Sequence, residues 1–407
     1  MGAKQKAISS IHTTIDRKGR GEGERGHMIF SAYKCFQALI TRKIKFEVDL
    51  IPLEFDGLSL KKIINWILTE VSVFFKPAGP WGFPTILQIE ITSRCNLRCR
   101  VCPVTTGMDR LSGDMDWGLF RKTIDELGDY LLLILLWDWG EPFLNPNVYE
   151  MIRYARSRGI KVMSATNGHV FASGDHAQNV VKSGLDVLVF SVDGITQETY
   201  QRYRGAGRLG TVLEGIKKVV AEKKSSKSKT PLVNFRFIVM KHGEQEIPQL
   251  RELARSLGVD ALTLRKFYAI PNRRHEGGGQ KSEFMPSQAM YQLPEHSQED
   301  QRPIRVTKNP CKNLWNCPTI HWDGTVCSCF MDFNEERPLG VLKEKSFKEI
   351  WYSQPFRDLR RNFRMRWQEL SLCGECSCGF KGGDVGREAN AEASFFSSPG
   401  GFVRTAS

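Results

Sequence analysis

Nowhere does this sequence hold the run of about 18 apolar residues that a membrane-crossing helix requires. Its longest apolar stretch, Leu131 to Trp137, is far shorter. The opening segment, MGAKQKAISSIHTTIDRKGRGEGERG, lacks the apolar core of a secretory signal. A cytoplasmic chain is the expectation from these two absences. Cysteine is missing altogether between Cys102 and Cys311, and no histidine follows closely on the first cysteine group. Extremes of composition are missing too. With 25% charged and 41% hydrophobic residues the chain is ordinarily globular, which excludes a fibre or a largely disordered protein. Its 407 residues predict two to three domains and room for a sizeable core.

What is present begins with charge. A net charge of +13 permits nucleic acid, an anionic membrane surface or an acidic substrate as partner, without choosing among them. Arg357, Arg360, Arg361, Arg364 and Arg366 cluster in one segment, which reads as a solvated helix face.

The eleven cysteines say more. Apart from Cys35 they fall into tight groups: Cys95, Cys99, Cys102; then Cys311, Cys317, Cys327, Cys329; then Cys373, Cys376, Cys378. An odd number in tight clusters, without a secretory signal, argues against a disulfide framework and for thiolates that hold metal.

Along the chain, residues 1–27 are polar and aperiodic and are expected to be disordered, with Met28 a candidate start. Residues 28–83 are expected as a helical extension. Within it SLKKIINWILTEVSVFFK, 59–76, is one amphipathic helix, expected to pack on the main domain; a membrane-surface helix is the second reading. From Thr85, apolar strands alternate with helical segments: TILQIEIT, LLLILLWDWG, GIKVMSATNG, DVLVFSVDG, LVNFRFIVM and ALTLRKFYA. Such β-then-α units imply parallel strands with right-handed crossovers. They are fewer than a closed barrel needs, so the expected fold is α/β, a partial (β/α)6 TIM-like barrel over 84–270. In such folds chemistry sits at the C-terminal ends of strands. Here SRCNLRC, WGEP, TNG and SVDG each follow a strand. Residues 271–304 read as a linker or loop, 305–380 as a small cysteine-rich domain that metal must help to stabilise, and 381–407 as a disordered tail.

Cys95, Cys99 and Cys102 form C-x3-C-x2-C after the first of these strands. Structural zinc wants four closely placed ligands, whereas three thiolates suit an iron–sulfur cube with one iron left open. The stretch IEITSRCNLRCRVCP resembles the signature of the radical S-adenosylmethionine superfamily, and the resemblance extends over about 84–270. Val101 departs from the aromatic residue often found beside the last cysteine. The resemblance implies that Cys95, Cys99 and Cys102 hold a 4Fe–4S cluster whose open iron binds S-adenosylmethionine. Reductive cleavage then yields a 5′-deoxyadenosyl radical that removes hydrogen from a substrate. It also implies cofactor-binding roles for Gly140 and Glu141 of the GEP motif, for Ser191 and Asp193 of SVDG, and for Arg204, an arginine that pairs with the cofactor carboxylate. Thr166 and Asn167 are further candidates at the end of the third strand.

The spacing from Cys311 through Gly324 to Cys329, with PCKNLW, IHWDGTVCSC and LCGEC, resembles the SPASM auxiliary-cluster domain. That resemblance implies one auxiliary 4Fe–4S cluster held by Cys311, Cys329, Cys373 and Cys376. Cys317, Cys327 and Cys378 are then surplus, either buried as small hydrophobes or replacing a member of the quartet.

The resulting expectation is a radical enzyme acting on a peptide, a protein or a small molecule and served by an electron donor such as flavodoxin or ferredoxin. Nucleic acid is not the expected partner. The alternative is a zinc-stabilised, basic nucleic-acid-binding protein, which explains the charge and the later cysteines but not the triplet beside GEP and SVDG. Glu90, Asp138 and Trp139 lie at strand ends, and none is named as a catalytic base.

Overall fold

The computed structural model describes residues 33–268, 283–293, 305–380, 390–396 and 402–405. A helix over 33–41 leads into a hairpin of β1 (Ile44–Val48) and β2 (Ile51–Phe55). Helix α1 (Leu60–Phe75) follows, its first turn capped by the Ser59 hydroxyl, which accepts from the Lys62 N–H. Then come β3 (Ile86–Ile89), β4 (Leu133–Leu135), β5 (Lys161–Thr166), β6 (Val187–Ser191), β7 (Leu232–Val239) and β8 (Ala261–Lys266). They lie side by side in chain order, each neighbouring pair parallel. Between them run α2 (Trp117–Leu127), α3 (Val148–Ser157), α4 (His176–Lys182), α5 (Gln197–Arg204), α6 (Leu209–Ser225) and α7 (Ile247–Leu257). The sheet is the mostly parallel, partial TIM-like one that the strand pattern calls for.

Alternate residues of each strand face opposite ways. Ile134, Val162, Leu188 and Phe190 join the core shared with the helices. Leu133, Met163, Val187 and Val189 face the other side, where they meet Ile44, Ile51, Leu53 and Phe55. The hairpin therefore fills the inner side of the sheet, and a purely helical extension over 28–83 is corrected. The period-two burial of Ile51, Leu53 and Phe55 is what the expectation overlooked. Asp49, in the hairpin turn, reaches Arg236 Nη2 on β7 at 2.6 Å and Arg265 Nη1 on β8 at 3.5 Å.

The cysteine-rich region continues the same sheet. β9 (Thr319–Ile320) pairs in parallel with β3, then antiparallel with β10 (Thr325–Cys327), which pairs with β11 (Gly340–Val341). Helices α8 (Phe347–Trp351) and α9 (Gln354–Arg366) pack on the main core through Phe347, Trp351, Phe356 and Phe363. Of the arginine cluster, Arg360 is buried, contrary to a fully solvated face. It donates to the carbonyls of Leu314 and Trp351, both at 2.9 Å.

At the far edge β12 (Asn390–Phe395) pairs antiparallel with β8, and β13 (Phe402–Thr405) with β12. The expectation of a disordered tail over 381–407 is thereby corrected at 390–396 and 402–405, the rest of it lying outside the described residues. The edge of β8 offers unpaired backbone groups, and the alternation in NAEASF satisfies them with Ala393 and Phe395 turned inward. Part of the expected linker is anchored too, since Phe284 packs against Leu97, Cys99, Tyr203 and Phe267. Residues 271–282 and 294–304 of that linker lie outside the described residues, as do 1–27 and Met28.

Asp49 joins four chain segments, because Asn390 Nδ2 also donates to it at 3.2 Å. Burial opposes its charge, but Arg236, Arg265 and Asn390 outweigh burial and hold its carboxyl below the ordinary aspartate range. Asp49→Ala strands two guanidinium groups and is expected to cost about 3–5 kcal/mol in urea unfolding. Since the folded-state carboxyl is the stronger acid, the wild-type advantage over the variant is full above the unfolded aspartate range of about pH 4 and shrinks as pH falls below it. A difference independent of pH contradicts the assignment.

Candidate active site and auxiliary thiols

Cys95, Cys99 and Cys102 lie in the loop after β3, in an apolar cluster with Leu97, Tyr203, Met240, Phe267 and Phe284. Burial pushes the Cys95 thiol up to about 11, helped by Glu141 and Cys99 and opposed by the Leu97 N–H. Burial, then Cys99, pushes Cys102 up to about 12. Buried thiols of this kind become thiolates only beside strong positive charge, which iron supplies. Among the described residues no three histidine, cysteine or acidic side chains converge closely enough for a single metal ion. A mononuclear zinc site needs sulfur ligands about 2.3 Å from one point, whereas an iron–sulfur cube spreads its thiolates over several irons. The donor set fits the cube.

Three further strand ends converge on this loop. Gly140 adopts φ +123°, and a Cβ there would stand 2.3 Å from the Thr92 carbonyl, so the chain needs glycine. Glu141 N–H donates to the Arg94 carbonyl at 2.8 Å, which fixes the GEP turn against the cysteine loop. The Glu141 carboxylate accepts from Thr166 Oγ1 at 2.8 Å, Asn167 N at 2.6 Å and Phe143 N at 3.3 Å. Burial nevertheless pushes its pKa up to about 7, against those three donors and the charge of Arg204. Asn167 Nδ2 donates to Asn96 Oδ1 at 2.6 Å and lies 4.0 Å from Cys95 Sγ. Ser191 ends β6 on the face shared with Val187 and Val189, half-buried.

Arg204, the last residue of α5, donates through Nε to Asp193 Oδ2 at 2.6 Å and directs Nη1 at Cys99 Sγ, 3.6 Å away. Burial opposes its charge, but Asp193 and Cys99 hold it well above its ordinary range. Asp193 Oδ1 accepts from the Ile238 N–H at 2.8 Å. With one oxygen on β7 and the other on Arg204, Asp193 positions the guanidinium.

In the C-terminal region, Cys311 shares a hydrogen bond with Cys378, and that bond, followed by burial, raises its thiol well above the usual range. Burial, then Cys311 and Cys373, does the same at Cys329. Burial, then Cys311 and Asp138, pushes Cys317 up to about 12. The structure thus places Cys311, Cys329, Cys373, Cys378 and Cys317 close enough to influence one another. Cys376 is half-buried, its N–H donating to the Cys373 carbonyl at 3.3 Å, and it is Cys378 that meets Cys311.

Sequence reasoning missed a buried polar chain between these two thiol groups. Arg110 holds both oxygens of the fully buried Glu90, with Nη1 2.7 Å from Oε1, and donates to the Phe333 carbonyl at 2.6 Å. Asp138 accepts from Gln88 Nε2 at 3.1 Å and stands 3.6 Å from His321 Nε2, whose Nδ1 lies 2.8 Å from Glu335 Oε1. Burial pushes Asp138 up to about 7, with His321 and Arg110 pulling the other way. Burial disfavours a charged His321, but Asp138, Cys327 and Glu335 hold it well above its usual value. Trp139 Nε1 donates to the Phe330 carbonyl, beside Cys329, at 3.0 Å. The available signal was a histidine within an apolar strand, IHWDG.

A thiol triplet at the strand ends of a partial β/α barrel, coupled to a second thiol group, defines an iron–sulfur enzyme. The radical SAM superfamily matches over residues 89–254, and SPASM, an iron–sulfur cluster-binding domain, over 311–377. The chain is 27% identical over 319 residues to the tungsten-containing aldehyde ferredoxin oxidoreductase cofactor-modifying protein of Pyrococcus furiosus, covering 72% of this chain and 86% of that protein. It is 27% identical over 340 residues to the AdoMet-dependent heme synthase of Methanosarcina barkeri, covering 76% and 93%. SuiB of Streptococcus suis bound to S-adenosylmethionine shares the fold, with a TM-score of 0.56 at 14% identity over 79% of this chain and 77% of that one. This chain belongs to the radical SAM superfamily and carries a C-terminal SPASM domain. Its cofactors are a 4Fe–4S cluster with S-adenosylmethionine in the barrel and auxiliary iron–sulfur in the SPASM domain. No match supports the zinc and nucleic-acid alternative.

Gly140→Ala tests the close approach beneath the cysteine loop. It is expected to destabilise the fold by about 2 kcal/mol or more and to shift Glu141 from the cluster loop. Thermal melting and S-adenosylmethionine titration read the two effects, and a variant with unchanged melting rules out the tight contact.

Proposed function

We propose that this enzyme modifies a cofactor-type small molecule. In this reading Cys95, Cys99 and Cys102 hold the radical cluster, while Gly140, Glu141, Thr166, Asn167, Ser191, Asp193 and Arg204 frame S-adenosylmethionine. The substrate class rests on one observation. Two relatives that align over most of both chains are named as a cofactor-modifying protein and a heme synthase. When bound, the cluster and S-adenosylmethionine supply a 5′-deoxyadenosyl radical that takes hydrogen from the substrate. The side chains do the rest. Glu141, a carboxyl whose pKa is raised by burial, suits the ammonium of the cofactor. Thr166 and Asn167 hold that carboxylate, and Arg204, steadied by Asp193, suits the cofactor carboxylate. The apolar ring of Tyr203, Phe267 and Phe284 keeps water from the thiols. A one-electron donor such as flavodoxin or ferredoxin, in the reducing cytoplasm, completes the scheme. Peptide modification is the second reading, favoured by the PqqA peptide cyclase of Gluconobacter oxydans, 26% identical over 183 residues and covering 44% of this chain and 49% of that one.

The test is anaerobic. Reconstituted protein with dithionite and S-adenosylmethionine is expected to release 5′-deoxyadenosine, and a triple alanine variant of Cys95, Cys99 and Cys102 to release none. Porphyrins are a fitting first panel, with iron coproporphyrin III among them, since the Fe-coproporphyrin III synthase of Methanosarcina barkeri, named for that product, is 27% identical over 198 residues. Release that rises with a porphyrin, with a mass change in it, supports the cofactor reading. Release that responds only to peptide replaces it with the second.

For the auxiliary cluster we propose Cys311, Cys329 and Cys373 as ligands. The hydrogen bond between Cys311 and Cys378 supports Cys378 as the fourth, in place of Cys376. Cys378→Ala is then expected to lower the iron content of the reconstituted protein, and Cys376→Ala to leave it near wild type. The reverse pattern restores Cys376.

A further inference from the structure

Helix α1 packs Ile63 into the core, with Trp66 and Ile67 partly buried beside it, and buries a polar stripe as well. On a globular surface the apolar stripe of an amphipathic helix ordinarily faces the core. Here Lys62, Asn65, Thr69 and Ser72, one stripe at helical spacing, are buried. Each is satisfied. Lys62 Nζ donates to the Gly159 carbonyl at 2.9 Å, and Asn65 Nδ2 to the Phe83 carbonyl at 3.1 Å. Thr69 Oγ1 donates to that same carbonyl at 2.7 Å, and Ser72 Oγ accepts from the Trp81 N–H at 2.9 Å. A further set of apolar side chains, Leu60, Ile64, Leu68 and Phe75, faces outward, with exposures of 47%, 45%, 37% and 57%. Trp81, Tyr130 and Tyr352 join it in one open groove of about 430 Å³. The neighbouring helix over 33–41 adds exposed Phe36 and Ile40, and its Lys34 and Cys35 lie near Glu70 of α1. An apolar surface of this kind on a stable polar latch marks a contact site.

Its border is basic. Helix α9 runs beside the chain that leaves α1: Lys76 Nζ stands 5.4 Å from the Phe363 ring centroid, and Arg360 Nη1 lies 3.5 Å from the Ala78 carbonyl. Phe356, Arg360 and Phe363 anchor α9, which leaves Arg357, Arg361 and Arg364 as an exposed row. Arg357, at one end of the row, acts electrostatically on Tyr352 in the groove wall. Arg361 pairs with Asp358, while among the described residues Arg357 and Arg364 have no carboxylate partner.

We propose that this face seats the enzyme on an anionic lipid surface, with the outer stripe of α1 entering the headgroup boundary and the arginines of α9 meeting lipid phosphates. Charge complementarity selects this occupant. The chain carries +13, and an apolar ridge beside a basic row matches an interfacial amphipathic helix. A second copy would set the same arginine row against itself across a two-fold axis, and like charges would oppose the contact. Among the described residues no helix is long and apolar enough to cross a membrane, so the attachment is peripheral.

Flotation of the full-length protein with vesicles is the test. Phosphatidylcholine vesicles containing phosphatidylglycerol are expected to carry the protein, and phosphatidylcholine alone to carry far less. Added salt should release it. Ile64→Ser with Leu68→Ser should weaken binding about tenfold or more. Arg357→Gln and Arg364→Gln should each weaken it about fivefold. All these side chains are exposed, so unchanged melting temperature and iron content certify the fold of each variant. Absence of flotation with both vesicle types overturns the proposal, as does binding that the variants leave intact. A dimer that Ile64→Ser with Leu68→Ser dissolves, without lipid binding, assigns the face to a second copy instead.

Discussion

Buried sulfur with too little positive charge around it is the condition that the rest of the structure answers. Cys95 and Cys102 sit where their thiols resist ionisation, and Arg204 is the cation directed at the group. Asp193 already claims much of that guanidinium, so the protein alone leaves the thiols protonated. Iron resolves the imbalance, and metal binding must displace protons from this loop. The same logic holds at Glu141, a carboxyl gripped by three donors and still raised to about 7 by burial. In the proposed reading iron would answer the buried thiols, and the ammonium of S-adenosylmethionine would answer the Glu141 carboxylate beside them.

Parallel strands make this convergence affordable in chain length. Each motif occupies only a few residues after its strand, and the sheet brings Arg94, Glu141 and Asn167 into one hydrogen-bonded layer, while Asp193 is tied to Ile238 on β7 and to Arg204. That is why so much of the site was legible in the sequence. Strand periodicity and the polar residues just after each strand are local signals. Gly140 shows how local they are, since its φ and its approach to the Thr92 carbonyl belong to a single turn.

What stayed hidden depends on partners distant in the chain. The hairpin carries a period-two pattern, but only the inner face of the sheet makes it a plug. Strand β12 is built from small residues and becomes a strand because β8 presents an open edge. Helix α1 was legible as amphipathic, but its buried polar stripe, which meets carbonyls of Phe83 and Gly159 beside the Ile63 contact, depends on partners that periodicity does not report. Spacing likewise nominated Cys376, whereas the turn after Cys373 carries Cys378 to Cys311.

The pairing of β9 with β3 has the widest reach of these long-range contacts. Through it the SPASM region becomes an extension of the barrel sheet, so the separation of the two thiol groups is set by continuous backbone pairing. Glu90, Arg110, Asp138 and His321 occupy the space between them, with Cys317 close enough to Asp138 to feel its charge. Buried ionic groups of this kind are costly unless each finds a partner: Glu90 finds Arg110 within the barrel region, while Asp138 meets His321 and Arg110 meets Glu335 across the junction. The SPASM region thus meets the barrel through a buried polar junction as well as through backbone pairing.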